Sequence, residues 1–297
     1  MDNSRSYMNT KQEKVKSNSP PEDFFSGKDL EMGRAIYNGD IKTIEHLIKE
    51  KGFDVNGRGE TKSDGRLQRW SYIGYSILVS EIKSTEELLK LGADVNSYSF
   101  DGSGVITTIG QACSFKNKKI IELLLDYKVN LNPPLSGSPI QELLIGDVDK
   151  SLIELLLDNG ANINHQNYFS GSTPIFTALR TDKFDFVNYF LDNGADPMML
   201  DYVGNSFSFL IQKEIDEGRL SDYGIKEYNK IRERLVNEFD VKFPLKNEYK
   251  KGLENSISRY ENLSKQDKEL LGIKESNRNQ LFKKSVEKGV TPAGEPF

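Results

Sequence analysis

The sequence predicts an all-α repeat solenoid. It has about six helix-turn-helix units, each followed by an extended finger, and a small helical extension at the C-terminus. Three observations carry this prediction. Segments with the same ending recur at nearly constant spacing. An amphipathic helix precedes each ending, and a shorter helical segment precedes that helix. The repeats are expected over residues 23–243, after a flexible lead-in at 1–22 and before an extension at 244–297 that is helical in part.

Residues 1–22 are rich in Ser, Asn, Lys and Pro and too poor in apolar side chains to offset the entropy of ordering. The repeat endings follow: KGFDVN at 51–56, LGADVN at 91–96, a weaker YKVNLN at 127–132, NGANIN at 159–164 and NGADPM at 193–198. Their last positions, Asn56, Asn96, Asn132, Asn164 and Met198, lie 40, 36, 32 and 34 residues apart, so the first units carry insertions. Before each ending, Leu and Ile recur at helical spacing, as in IKTIEHLIKE at 41–50 and KKIIELLLDY at 118–127. Gly then closes the helix, because glycine adopts a left-handed terminal conformation at little cost. The shorter first helices are clearest at 136–146 and 170–181. There Ser or Thr caps the start, and Pro139 or Pro174 takes the first turn. A sixth unit begins near Asp201. Its second helix, 223–239, is rich in Lys, Arg and Glu, as a solvent-facing terminal cap requires. Residues 245–297 leave the period and carry 11 Lys or Arg against 8 Asp or Glu.

This unit resembles the ankyrin repeat. Thr173-Pro174-Ile175-Phe176 and Gly92-Ala93-Asp94-Val95-Asn96 are the best matches to the family pattern. The family's histidine is absent, and Gln141 and Phe176 stand in its place in the two proline-containing units. The resemblance covers roughly residues 29–240 and implies a protein-binding scaffold whose fingers and first helices face the partner.

Composition narrows the chemistry. The chain of 297 residues carries a net charge of -5, which gives no reason to expect nucleic acid as a partner. Its single cysteine, Cys113, excludes an intrachain disulfide and reads as a buried structural thiol. The two histidines, His46 and His165, lack metal-ligand spacing. No nucleophile elbow, phosphate loop or dinucleotide fingerprint occurs, so no catalytic residue, no metal and no cofactor is expected. No apolar stretch is long enough to cross a bilayer. The expected location is the bacterial cytoplasm as the sequence stands, or the periplasm if a leader has been removed. The chain is expected to be a monomer when free.

The partner is expected at the fingers. The first insertion, 57–72, carries Arg58, Lys62, Arg66 and Arg69 beside Trp70 and Tyr72, residue types enriched at interface hot spots. Tyr98 and Phe100, then Tyr168 and Phe169, then Tyr202 place aromatics on the following fingers. Two readings stand for these rings: a recognition strip, or packing between neighbouring fingers. Phe24-Phe25 ahead of Ala35-Ile36-Tyr37-Asn38-Gly39-Asp40, then Phe53-Asp54-Val55-Asn56 and the long second finger, resemble bacterial immunity proteins encoded beside type VI secretion phospholipase effectors. That resemblance implies a chain that binds a cognate lipase toxin and blocks its active site. The alternative is a bacterial effector or adaptor that binds a host or regulatory protein through the same face.

Overall fold

The computed structural model describes residues 15–63, 66–101 and 104–297; the side chains of Ser63, Arg66 and Ile273 also lie outside the description. The chain forms two compact units, one reaching Ala161 and the other running from Asn162 to Phe297.

In the first unit, four helix pairs follow one another. They are α1 (Asp29–Asn38) with α2 (Ile41–Lys49), α3 (Tyr72–Leu78) with α4 (Ile82–Lys90), α5 (Thr108–Ser114) with α6 (Lys118–Asp126), and α7 (Pro139–Leu143) with α8 (Lys150–Asp158). First helices pack on first helices and second on second, so α3 lies against α1 and α5, and α4 against α2 and α6. The apolar stripes meet along these contacts and bury Ile36, Ile44, Leu88, Ile120 and Leu156 completely. Polar side chains start most of the helices. Asp40, Ser71, Thr107, Asn117, Ser138 and Asp149 each accept a backbone N–H of the first turn. Gln141, which stands where the family has histidine, completes a capping box by accepting the Ser138 N–H at 3.0 Å.

The recurrent Asp/Asn-x-Asn ending is a hydrogen-bond device. Its first side chain accepts the N–H two residues on, as Asp94 does from Asn96 at 2.9 Å. The final Asn reaches into the next repeat: Asn56 Oδ1 accepts the Asp94 N–H at 2.8 Å, and Asn96 Oδ1 accepts the Asn130 N–H at 2.7 Å. Asn96→Ala leaves that donor to water and should lower stability by about 1 kcal/mol. A urea titration unchanged from wild type would show that the bond contributes nothing net.

The left-handed residue after the second helix is glycine at Gly92 (φ 95°) and Gly160 (φ 93°), but in the third repeat Lys128 (φ 59°) fills this place. A side chain there is strained by about 1 kcal/mol. Lys128→Gly should therefore raise the thermal midpoint despite the greater freedom it gives the unfolded chain. A lowered midpoint would mean that the lysine makes compensating contacts.

The long fingers add a small sheet to the helical fold. Strands β1 (Arg58–Ser63), β2 (Arg66–Ser71), β3 (Tyr98–Phe100) and β4 (Val105–Thr107) pair antiparallel in that order. Arg58 pairs with Ser71 and Ser63 with Arg66, so the first finger is a hairpin; Tyr98 pairs with Thr107 in the second. The expected flexible lead-in differs over the part the structure describes. Val15–Ser17 are helical, Ser19 and Pro21 are buried, and Lys16 pairs with Glu81 at 2.7 Å. The Tyr75 hydroxyl donates to the Ser19 carbonyl at 2.8 Å, which anchors a segment too polar to hold itself.

In the second unit, α9 (Pro174–Arg180) pairs with α10 (Phe184–Asp192), and α11 (Phe207–Glu217) with α12 (Asp222–Phe239). Arg234 on α12 joins Asp192 at 2.6 Å and Glu238 at 2.7 Å, tying the terminal pair to the one before it. The extension forms α13 (Tyr249–Glu261) and α14 (Lys265–Lys288), which pack on each other; Gly272 breaks the helical geometry of α14.

Candidate protein-binding surface

The base of the first finger is an aromatic cluster. The Trp70 ring is buried, edge-on to Phe24 with centroids 5.2 Å apart. Phe24 and Phe25 both rest on Tyr75, at 5.1 and 4.9 Å, and Phe25 lies 5.8 Å from Tyr72. Tyr72 is buried at the start of α3 and donates its hydroxyl to Asp29 at 2.5 Å. Burial, with the Asp29 carboxylate beside it, pushes the Tyr72 phenol far above its ordinary pKa and keeps it neutral. Phe25, Trp70, Tyr72 and Tyr75 are buried and Phe24 is half-buried, so the cluster packs the base of the hairpin onto the helices.

The cations of the same finger divide. Arg58 donates to the Tyr98 carbonyl and, at 3.3 Å, to the Ser97 hydroxyl, which ties the first finger to the second. Arg69 is exposed and bonds Glu60, its cross-strand partner, at 3.0 Å. Lys62 is exposed, and the Arg66 side chain lies outside the described residues. Phe100 is half-buried opposite Arg69, and Tyr98 is half-buried beside it. Lys62, Arg69, Tyr98 and Phe100 thus offer a partner more surface than Trp70 or Tyr72 can.

In the second unit the fingers are already occupied by the chain itself. Tyr168 is buried under α13 and α14: the Arg259 guanidinium lies 5.5 Å from its ring centroid and Arg278 lies 6.0 Å away. The Tyr168 hydroxyl donates to Glu275 at 3.5 Å, and Arg278 pairs with Glu275 at 2.8 Å. Arg259 also donates to the Gln166 carbonyl at 2.8 Å and to the hydroxyl of the buried Tyr202 at 3.1 Å. Phe169, stacked edge-on to Tyr168, remains 41% exposed. Of the rings expected on these fingers, it alone is open to a partner. Sequence reasoning missed the arginines, because only the folded extension brings them to the rings.

The groups with chemical potential sit apart from this surface. Cys113 is fully buried, and burial raises its thiol pKa well above the ordinary value, which suits packing rather than nucleophilic attack. His46 bonds Glu50 at 2.9 Å one helical turn away. Among the described residues, no group of three His, Cys, Asp or Glu side chains is placed to hold a metal ion, and no helix is long and apolar enough to cross a membrane.

Comparison with known proteins agrees with this architecture. The family model for ankyrin repeats, in three copies, matches residues 109–201. An ankyrin repeat protein of Acanthamoeba polyphaga mimivirus is 29% identical over 103 residues, 33% of this chain and 62% of that protein. One from fowlpox virus is 26% identical over 218 residues, 61% of this chain and 42% of that protein. One from vaccinia virus is 28% identical over 166 residues, 50% and 53% respectively. The chain thus spans about half the length of these curated relatives. The crystal structure of the ankyrin repeat domain of Bcl-3, a member of the IkappaB protein family, superposes with a TM-score of 0.54 at 16% identity. The match covers 70% of this chain and 87% of that one.

Proposed function

Taking as premise that the chain carries ankyrin repeats, a protein-binding fold, we propose that it is an adaptor that engages a host or regulatory protein through the fingers of its first unit. The observation that supports this most is the sheet of fingers. It holds Lys62, Arg69, Tyr98 and Phe100 at its surface on a backing of buried rings, so little conformational freedom is lost when a partner docks. The viral ankyrin relatives favour an adaptor over a dedicated antitoxin.

The immunity reading is the second. It rests on a resemblance carried in part by Phe24 and Phe25, and both rings serve the finger base, so they speak for the fold more than for a lipase. In that reading the complex would form wherever the toxin arrives, in the periplasm for an incoming lipase.

A tagged full chain is recovered from its native cell and the bound protein identified. The adaptor reading expects one stoichiometric protein unrelated to phospholipases. A phospholipase encoded beside this chain would overturn it in favour of immunity, and recovery of the chain alone would count against both.

A further inference from the structure

The finger sheet of the first unit stops at β4. Among the described residues that strand pairs with β3 alone, and the next finger, residues 127–138, supplies no strand. Outside the ladder to β3, Val105 and Ile106 make no hydrogen bond in the described structure. Because backbone groups alternate sides along an antiparallel strand, one of these two residues turns its N–H and C=O away from the sheet. An edge of this kind is a template for a further strand.

Beside this edge runs a groove of about 390 Å³, walled by β4, α5, the 136–137 loop and Glu142 of α7, with Trp70 among its lining residues. Its polar content is one-sided. Its charged lining groups, among the described residues, are Asp101 and Glu142. Among the described residues Glu142 forms no ion pair, and burial raises its carboxyl pKa, so a cation brought to it would be favoured. Two lining groups lack hydrogen-bond partners among the described residues: the Trp70 indole N–H, a donor, and the Gln111 Oε1, an acceptor. Buried polar atoms are seldom left in this state.

We propose that this groove binds an extended segment of a partner protein, added as a strand along β4, with a lysine or arginine side chain directed at Glu142. Strand addition satisfies the open backbone groups of β4 and fixes the register of the segment. The cationic head donates to the Glu142 carboxylate and to Gln111 Oε1, and a carbonyl or hydroxyl of the segment accepts the Trp70 N–H. An acidic segment is disfavoured by the Glu142 carboxyl. The inference deepens the protein-binding reading and rests on it.

Trp70 is the only tryptophan in the chain, so its fluorescence reports occupancy of the groove. The full chain is screened against a library of short synthetic peptides in which every position is varied. Peptides that shift the Trp70 emission are expected to carry Lys or Arg at one fixed position among β-branched neighbours. Glu142→Gln should weaken their binding at least about tenfold. Methylating alternate backbone nitrogens of the peptide should abolish binding without touching the protein. Selected peptides lacking a fixed cation, affinity indifferent to Glu142→Gln and to N-methylation, or no binder at all would each overturn the proposal. If the tagged chain still recovers its stoichiometric protein while the peptides fail, the groove is wrong and the scaffold reading stands; if both fail, both fall.

Discussion

Trp70→Ala should destabilise the first unit by about 3–5 kcal/mol, the usual cost of removing a large ring from a packed core. The ring is 5% exposed, packs edge-on against Phe24, and through it rests on Tyr75 of α3. Deleting it opens a void beneath the hairpin that neighbouring backbone cannot close, because Gly59 already touches Phe25: a methyl group on Gly59 would lie 2.2 Å from that ring. The contrast is Arg69→Ala. Arg69 and Glu60 are both more than half exposed, and such a pair contributes only about 0–1 kcal/mol. Paired urea titrations separate the two. Equal losses would show that the aromatic cluster does not hold the finger. The result also governs how binding is tested: a variant combining Arg69→Ala with Trp70→Ala would mix lost contact with lost fold, so Lys62 and Arg69 must be replaced singly.

Gly252→Ala and Gly204→Ala should each release the C-terminal helices from the fingers, at a cost of about 2–4 kcal/mol from overpacking, with backbone strain added at Gly204. A methyl group on Gly252 would fall 2.5 Å from the Gly204 nitrogen and 2.7 Å from the Asp201 carbonyl oxygen. One on Gly204 (φ 76°) would fall 2.2 Å from the Glu248 carbonyl carbon and the Tyr249 nitrogen. In both cases the obstacle is backbone, so no side chain can swing aside. The Glu248 N–H bonds the Gly204 carbonyl at 2.8 Å at the same point, and that bond would be lost with the approach. Hydrogen exchange reads the outcome: protection should fall across α13 and α14 and survive in α9 and α10. Unchanged protection of α13 in Gly252→Ala would mean that the extension is held by Arg259 and Arg278 without this contact.

The repeats were legible because each helix carries its own apolar stripe and each ending its own hydrogen-bond motif, so a short window of sequence is enough. The sheet was harder to read. β1 is Arg-Gly-Glu-Thr-Lys-Ser, with no apolar residue to alternate, and its pairing depends on the finger beside it. One local signal was present, since the two residues between paired Ser63 and Arg66 are Asp64 and Gly65, the dipeptide favoured in two-residue hairpin loops. The aromatic residues of the fingers were found, but their direction was not: Trp70, Tyr72, Tyr168 and Tyr202 turn inward, while Phe169 and Phe100 keep exposed surface. Composition cannot separate the two cases. The docking of the extension was illegible, because it depends on residues such as Tyr168 and Glu275 that lie 107 positions apart.

The asparagine bonds between repeats bear on how such a chain can diversify. Asn56 with Asp94, and Asn96 with Asn130, fasten the root of each finger to the root of the next. The tip lies outside that fastening. Residues can therefore be added between Asn56 and α3, or between Asn96 and α5, without altering the spacing of the helices. The first two intervals, 40 and 36 residues against 32 and 34 later, record that freedom. Finger length behaves as an adjustable dimension of the molecule, open to selection for a new target while the scaffold beneath it stays constant.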